Sequence, residues 1–403
     1  MPPMRKFDAI VAGAGPIGSI AALALARAGL EVALVGPPAG GDDRRTTALM
    51  LPALNFLESA GLPAFSPADT APLEVMRIVD MTSRLIRSAP VTFRASEIGA
   101  GHFGINIPNR VLMRTLSEAV AASPGIERLP ELVSGWALDD DMTRATLADG
   151  ASLSAPLVVA ADGRSSAARG AAGISVSRRD YPQTALVLNF SHSRPHARIS
   201  TEFHTETGPF TQVPLPGDRS SLVWVLDPRV AVELAGLDDR ELSERVEGRM
   251  QSILGRVEVE PGRQAYPMSA LLPSSIAARR VALVGEAAHV FPPIGAQGMN
   301  LGIRDVADLV RVAADHRDDP GSERALAAYR SARRLDVVAR QAAVNALNIS
   351  LLSDLLPAQF ARSAGLGLLA NVAPLRGFVM REGMQPGSGF ARIASGWRKQ
   401  VRR

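Results

Sequence analysis

The chain has 403 residues, 46% hydrophobic and 21% charged, which is long enough for two or three compact units with a real core. It contains no cysteine, and that excludes a disulfide framework, a CxxC redox pair, cysteine-ligated zinc and a cysteine nucleophile together. Its six histidines are scattered without an HExxH pattern, so no metal site is expected, and the formal net charge of +4 is carried almost wholly by arginine.

No apolar run is long enough to span a bilayer. Arg5 and Lys6 precede an apolar stretch, as in a signal peptide, but glycines at 13, 15 and 18 and charges at Arg27 and Glu31 fit a strand, turn and helix instead. The chain therefore reads as cytoplasmic. Residues 7–12 are a short buried strand, followed by GAGPIG at 13–18, an Ala/Leu-rich helix over 19–28 closed by Gly29, and a second strand over 31–35. This is the dinucleotide-binding βαβ fingerprint in its required context. Gly13 permits the tight turn, Gly15 lets a pyrophosphate approach the backbone, and Gly18 lets helix and strand pack closely. The acid that usually ends the second strand and holds the adenosine ribose is replaced by Gly36, with Asp42 or Asp43 as substitutes.

Residues 43–49, DRRTTAL, lead into a helix over 51–60 and place a basic residue where a pyrophosphate would lie. Strand character follows at 75–80 and 85–93, and a helix at 111–122. Strands over 136–147 and 152–160 flank the Asp149-Gly150 turn. The second of these ends in ADGRSSAAR, 161–169: an acid, a glycine and hydroxyls at a strand's carboxyl end, where open α/β sheets bind ligands. From 181 to 266 the texture changes to short strands (183–190, 200–204, 210–214, 221–226) with Pro/Gly turns and a helix over 238–254. That predicts a mainly antiparallel layer inserted into the nucleotide-binding unit.

Residues 281–305 form the third strand-and-turn of the same kind. VALVG reads as a buried strand, a Pro-Pro and Gly-rich turn follows, and a helix begins near 298–300 with apolar positions at Leu301, Leu309 and Val312. Glu286, at the strand's end, can accept hydrogen bonds from ligand hydroxyls. Beyond Asp305 the chain is helical, over 322–336, 337–352 and 358–371. After Pro357 eight basic residues face a single acid, Glu382, so the tail is suited to an anionic membrane, an acidic partner, nucleic acid or solvent.

Three glycine-bearing turns at strand ends are what one chain needs to grip an extended dinucleotide. With GAGPIG at 13–18, ADGRSSAAR at 161–169, YPQTA at 181–185, GEAAHVFPPIGAQGMN at 285–300 and Asp305, the whole chain resembles the FAD-dependent aromatic hydroxylases of the para-hydroxybenzoate hydroxylase fold. It is most similar to the ubiquinone-biosynthesis subfamily that acts on polyprenylated phenols. The resemblance implies an α/β Rossmann-like FAD-binding domain (1–75, 96–180 and 270–330), an inserted mainly antiparallel β substrate domain (76–95 and 181–269) and a C-terminal helical region (331–403). It also implies NADH or NADPH as reductant, O2 as co-substrate and ring hydroxylation through a flavin hydroperoxide.

Carried over residue by residue, Gly13, Gly15, Pro16 and Gly18 receive the pyrophosphate, Arg45 lies near it, and Asp162 and Gly163 serve FAD and the pyridine nucleotide. Glu286 stands where the family has an aspartate on the ribityl chain, and Pro293, Gly295, Gln297, Gly298, Met299 and Asn300 line the isoalloxazine ring. No general base is assigned; Tyr181, Tyr266 and His289 are candidates that each have a structural reading. Pocket positions are expected at 211–216 and Trp224. The expected partners are a small aromatic or polyprenyl phenol substrate, with no nucleic acid. Peripheral membrane or biosynthetic-complex association through the C-terminal helices (Leu351, Leu352, Leu355, Leu356) stands beside a homo-oligomer interface built from them. Alternative functions are hydroxylation of a small soluble aromatic and flavin binding without turnover; the GWxWxIP signature of halogenating relatives is absent.

Overall fold

The strands that carry the three turns are apolar at every position, as befits a parallel sheet buried on both faces. In the computed structural model, which describes residues 4–38, 43–85, 87–292, 297–334, 336 and 356–384, that is how they are used. A six-stranded sheet runs in the order Ala277–Ala278, Val281–Leu283, Leu157–Ala160, Ala9–Ala12, Val32–Val35, Ile126–Leu129. Alternate residues separate to two cores. Ala9, Val11, Leu157, Val159, Val32 and Leu34 meet the helices Pro16–Arg27, Asn109–Ala121 and Gln297–Asp315, while Ile10, Val158, Ala160, Ala33 and Val35 meet a four-stranded layer.

Two expected strands are divided, each for a local reason. The 136–147 stretch is a hairpin, Val133–Leu138 with Thr143–Leu147, because the acidic run at 139–141 makes a turn in which the Asp139 N–H donates to the Met142 carbonyl at 3.0 Å. The 152–160 stretch is two strands in two sheets, Ser152–Ala155 and Leu157–Ala160, with Pro156 between them. Proline has no N–H for a ladder and so marks the step from one sheet to the next. Arg280 secures the step by donating to the Pro156 carbonyl at 3.1 Å and pairing with Asp319.

The inserted layer is an eight-stranded sheet containing Val257–Val259, Val176–His192, Arg219–Leu226, Gly208–Leu215, Ile199–Thr205, Val75–Asp80 and Val91–Arg94, with Gln264–Pro273 paired to Val176–His192. The strand expected at 183–190 is the middle of this 17-residue one, which crosses position 180 with a register shift at 180–184, around Pro182. Of the 85–93 expectation only Val91–Arg94 is a strand. The helix expected over 238–254 is shorter, Asp239–Arg249, and a second helix, Pro228–Gly236, precedes it. Both cover one face of the sheet. Beyond the helix Gln297–Asp315, residues 323–334 are helical, and Leu356–Asn371 and Ala373–Met384 form a bent pair at 106°. The expected helix at 337–352 lies outside the described residues.

Candidate active site

The turns after Ala9–Ala12, Leu157–Ala160 and Val281–Leu283 open at the same end of the sheet, because those strands are adjacent and parallel. They also touch. A Cβ on Gly13, whose φ is +106°, would stand 2.4 Å from the Ala161 carbonyl oxygen, and one on Gly18 would stand 1.7 Å from the Gly13 carbonyl oxygen. Both glycines are demanded by the fold itself. Gly15 is different. Nothing lies within 4 Å of the position its Cβ would take. It is the N-cap of the helix Pro16–Arg27, makes no side-chain capping bond, and is followed by Pro16 in the first turn. An open flank of backbone at a helix N-terminus favours an anion.

Gly36, at the end of the next strand, has φ +135°, and a Cβ there would lie 3.2 Å from the Ala14 nitrogen. An acid at that position would be strained and would crowd the first turn. Asp43 is not a free substitute: it accepts from Arg45 Nε at 2.8 Å, Arg45 Nη2 at 2.7 Å and Asn109 Nδ2 at 2.9 Å. Burial pushes the Asp43 carboxyl up, but these hydrogen bonds more than offset it and the net direction is down. Arg45, held in turn by Asp43, lies over the Tyr266 ring at 5.5 Å and within electrostatic reach of Glu286, so it joins the inserted sheet to the third turn. Asp42 lies outside the described residues.

In the second turn Asp162 Oδ2 accepts from the Ala167 and Ala168 N–H groups at 2.8 and 3.3 Å, capping the short helix that follows. Its Oδ1 is buried without a partner among the described residues. Gly163, with φ +80°, has nothing within 4 Å of its Cβ position. Glu286, in the third turn, accepts from Arg164 Nε at 2.9 Å, with both side chains about half exposed. The expected hydroxyl acceptor is thus already bound through Oε2 to the second turn, which leaves Oε1 without a hydrogen-bond partner among the described residues. Arg169, buried, donates to the Ala287 and Arg164 carbonyls at 2.9 and 2.7 Å and stitches the same two turns from beneath.

A buried ionic network supports the third turn. Asp305 Oδ2 accepts from the Gly285 N–H at 3.0 Å and lies 2.6 Å from His289 Nε2, while Oδ1 accepts from Arg333 Nε at 2.9 Å. Arg333 also pairs with Asp308 and Asp336. Burial would lower its proton affinity, but the surrounding carboxylates prevail and its guanidinium is raised. Tyr329 donates to the Leu283 carbonyl at 2.7 Å, and burial pushes its hydroxyl well up. Sequence reasoning missed Arg164, Arg169 and Arg333. The only available signal for the last was the acid pair Asp305 and Asp308 on one helix face.

Of the ring-lining candidates, Pro293 and Gly295 lie outside the described residues. Gln297 opens the helix Gln297–Asp315, and its side chain is likewise outside them. Gly298 is open at its Cβ position, and Met299 packs at the edge of the main core. Asn300 is buried; its side chain accepts from the Met50 N–H at 2.9 Å and donates to the Ala48 carbonyl at 2.7 Å, anchoring the strand Thr46–Met50. What it can offer a ligand is main chain in the helix's first turn.

His289, stacked on Phe291 and bound to Asp305, is structural, and so is Tyr181, buried against Met268. Tyr266 donates to Gln264 beneath Arg45. Trp224, expected as a pocket residue, belongs instead to the core beneath the helices Pro228–Gly236 and Asp239–Arg249, edge-on to Phe210. The opposite face of the sheet carries Ile78, Glu202, Thr211, Val223 and Val187 in one cross-strand row. Several of that face's residues are only half-buried. The face borders the turns at Tyr266, and its members Met76 and Ile78 share a cluster with Met50 and the C-terminal helices. Sheet face, turns and C-terminal helices therefore adjoin one another, and the side on which they meet is termed the cleft. An open depression of about 590 Å³ lies elsewhere, over the helix Asp239–Arg249, and its lining includes the ion pairs Arg240–Glu244 and Arg256–Glu258.

A family model described as an FAD binding domain matches residues 6–345. The chain is 34% identical over 390 residues to the ubiquinone hydroxylase UbiL of Rhodospirillum rubrum, across 94% of this chain and 90% of the relative. It is 27% identical to the 3-demethoxyubiquinol 3-hydroxylase of Escherichia coli K12, across 90% and 94%. Among solved structures it is similar to PqsL, a probable FAD-dependent monooxygenase from Pseudomonas aeruginosa, with a TM-score of 0.74 and 26% identity over 90% of this chain and 99% of that one. PqsL has also been solved with 2-aminobenzoylacetate.

Proposed function

The chain belongs to the FAD-binding-domain family of flavin-dependent monooxygenases, and from that membership we propose that it hydroxylates the ring of a polyprenylated phenol in ubiquinone biosynthesis. FAD is its cofactor, and a reduced pyridine nucleotide and O2 are its co-substrates. The observation that carries the substrate class is the end-to-end likeness to a ubiquinone hydroxylase. The residues of the three turns fit FAD. Gly15, Gly163 and Gly298 leave open space beside their backbone, Asp162 Oδ1 lacks a donor that a ligand hydroxyl would supply, and Arg45 is a cation within electrostatic reach of Glu286.

Bound there, FAD supplies the redox and oxygen chemistry. On this reading the Gly15 N-cap and Arg45 hold the pyrophosphate, and Asp162 and Glu286 accept hydroxyls. The first turn of Gln297–Asp315 presents its main chain and the positive end of the helix dipole to negative charge on the ring. The apolar sheet face, closed by Leu366, Leu369 and Met380, keeps water from the reacting centre. Shortening the ribityl acceptor tests one of these roles. Glu286→Ala should weaken FAD binding about tenfold in a fluorescence titration while changing stability by less than about 1 kcal/mol, because the Arg164 pair is half exposed. Unchanged affinity would remove Glu286 from the site.

A soluble aromatic carboxylate is the second reading, favoured by the 2-aminobenzoylacetate complex of PqsL. Against it, the cleft row of the sheet carries no cation, and Arg219 at the strand end is already bound bidentately by Glu260 at 2.6 and 2.7 Å. Purified protein with flavin absorption whose NAD(P)H oxidation rises with prenylated phenols, and not with benzoates, supports the first reading. Accumulation of unhydroxylated quinone precursors in a deletion strain tests it in the cell.

A lipid-tailed substrate has to be taken from a membrane, and we place that contact on the C-terminal helix pair. No single helix among the described residues is long and apolar enough to cross a membrane. The pair nevertheless exposes Phe360 and Leu368 on its first helix, Val372 at the bend, and Leu375 and Val379 on its second, while Leu366, Leu369 and Met380 pack in the cleft cluster. The basic residues expected to assist are partly engaged: Arg376 is paired with Glu97 at 2.7 Å. Phe360→Glu with Leu368→Glu should abolish flotation with anionic liposomes and leave FAD content intact. Undiminished flotation would move the contact elsewhere.

A further inference from the structure

Glu202 and His204 form a polar pair on the sheet face that borders the turns. Glu202 sits mid-row on the half-buried face of the eight-stranded sheet, between Ile78 on one neighbouring strand and Thr211 on the other. Its Oε1 is 2.9 Å from His204 Nε2, and Thr211 Oγ1 donates to its Oε2 over a long 3.4 Å. The Glu202 side chain is 15% exposed and that of His204 only 1%. His204 Nδ1 is buried with no partner among the described residues. A protonated imidazole would carry an unpartnered N–H there, whereas the neutral Nε2–H form leaves only a lone pair, which costs less. The Nε2–H tautomer therefore suits His204 as a donor to Glu202, and among the described residues Oε2 of that carboxylate has only the long Thr211 contact in a row whose other members are apolar.

We propose that Glu202, oriented by His204, receives the substrate's phenolic hydroxyl and takes its proton during oxygen transfer. This rests on the phenol reading above. As a ring carbon ortho or para to the hydroxyl bonds to the incoming oxygen, the O–H bond breaks, its electron pair forms the ring C=O, and the proton passes to Glu202 Oε2. The oxygen atom and the two-electron oxidation come from the monooxygenase chemistry. Loss of the proton on the attacked carbon then restores the aromatic ring. Glu202 is the catalytic residue and His204 a positioning residue.

The acids on the elements packed here are Asp80, opposite His204, and Glu206 in the next turn, while the strands Val75–Asp80 and Val91–Arg94 also carry Arg77 and Arg94. Burial pushes both carboxyls up, but hydrogen bonds from Thr82 and Ser88 to the first and from Ser83 to the second bring them below their usual values, so they stay charged through neutral pH. Arg45 and Tyr266 border the cleft on the side of the turns.

The test is binding of 4-fluorophenol to the FAD-loaded protein, followed by fluorine NMR as the pH is raised. An anionic acceptor favours the neutral phenol, so the bound probe should ionise at least about one pH unit above the free one. Glu202→Gln should abolish that shift and weaken neutral-phenol binding about tenfold, with 4-fluoroanisole binding unchanged. His204→Gln, which can keep the donor, should stay near wild type, and His204→Phe should lose most of the shift. Turnover with an accepted phenol should fall on the order of 100-fold in kcat for Glu202→Gln. If the wild type binds the probe and Glu202→Gln changes neither affinity nor ionisation, the assignment of Glu202 is overturned and the phenol reading stands. If the wild type does not bind the probe, the phenol reading falls and the assignment falls with it. Should Glu202→Gln not retain FAD, Glu202→Asp, which withdraws the carboxylate by a methylene, decides by the same measurements.

Discussion

Gly15→Ala is expected to fold like the wild type and purify without FAD. Its φ of −73° is ordinary for alanine, and nothing stands within 4 Å of the added methyl. The small penalty for alanine at an N-cap is roughly offset by the entropy that the substitution removes from the unfolded chain, each being under about 1 kcal/mol. The methyl would nevertheless occupy the flank where a pyrophosphate approaches the helix N-terminus. Displacing charge-assisted hydrogen bonds of about 1.5–3 kcal/mol each should lower FAD affinity on the order of 100-fold. Gly13→Ala and Gly18→Ala provide the contrast. There the Cβ would meet backbone oxygens at 2.4 and 1.7 Å, so these variants should be lost to misfolding whatever the cofactor concentration. Thermal melts of the apoproteins alongside FAD fluorescence titrations separate the two classes. A Gly15→Ala protein that binds FAD as tightly as wild type would detach the first turn from the cofactor.

Those three glycines also mark how far sequence reasoning reaches. GAGPIG, ADG and GEAAH were legible because each turn places fixed residue types at fixed spacing after an apolar strand, and local geometry alone demands it. Side-chain pairings across turns were not legible. Nothing in ADGRSSAAR says that Arg164 reaches Glu286 while Arg169 turns inward to Ala287, since spacing along one turn does not give the reach of a long side chain. Parity produced a similar error. Trp224 lies on a correctly located strand, yet whether it faced cleft or core depended on two helices, Pro228–Gly236 and Asp239–Arg249, of which the first was overlooked and the second drawn too long. The same parity put Glu202 in the cleft, and no spacing rule isolates a glutamate two residues from a histidine in a β-strand. Asp43 looked free to hold a ribose because nothing in DRRTTAL says that Arg45 turns back onto it.

Arg333→Met should be among the most destabilising single substitutions outside the glycines, by about 3–5 kcal/mol. Arg333 is 2% exposed, as is its partner Asp305, and the methionine would fill most of the volume while leaving that carboxylate without its buried cation. Asp308 and Asp336, which Arg333 also engages, are more accessible or shared with Arg304, so the loss centres on Asp305. The effect should reach FAD. Asp305 Oδ2 holds both the Gly285 N–H and His289, which bracket Glu286, so the turn is fixed at its two ends by one oxygen. Loosening that grip should weaken FAD binding about tenfold even where the variant is folded, as for a hydrogen-bond contribution of about 1.5 kcal/mol. A second substitution separates charge burial from lost packing. Asp305→Asn in the Arg333→Met background removes the stranded charge and should recover more than half of the lost stability, whereas Asp305→Asn alone should be destabilising, because its amide N–H faces the guanidinium. Denaturant titrations of the four proteins complete the cycle. A single Arg333→Met variant within about 1 kcal/mol of wild type would mean that the buried network does not support the third turn.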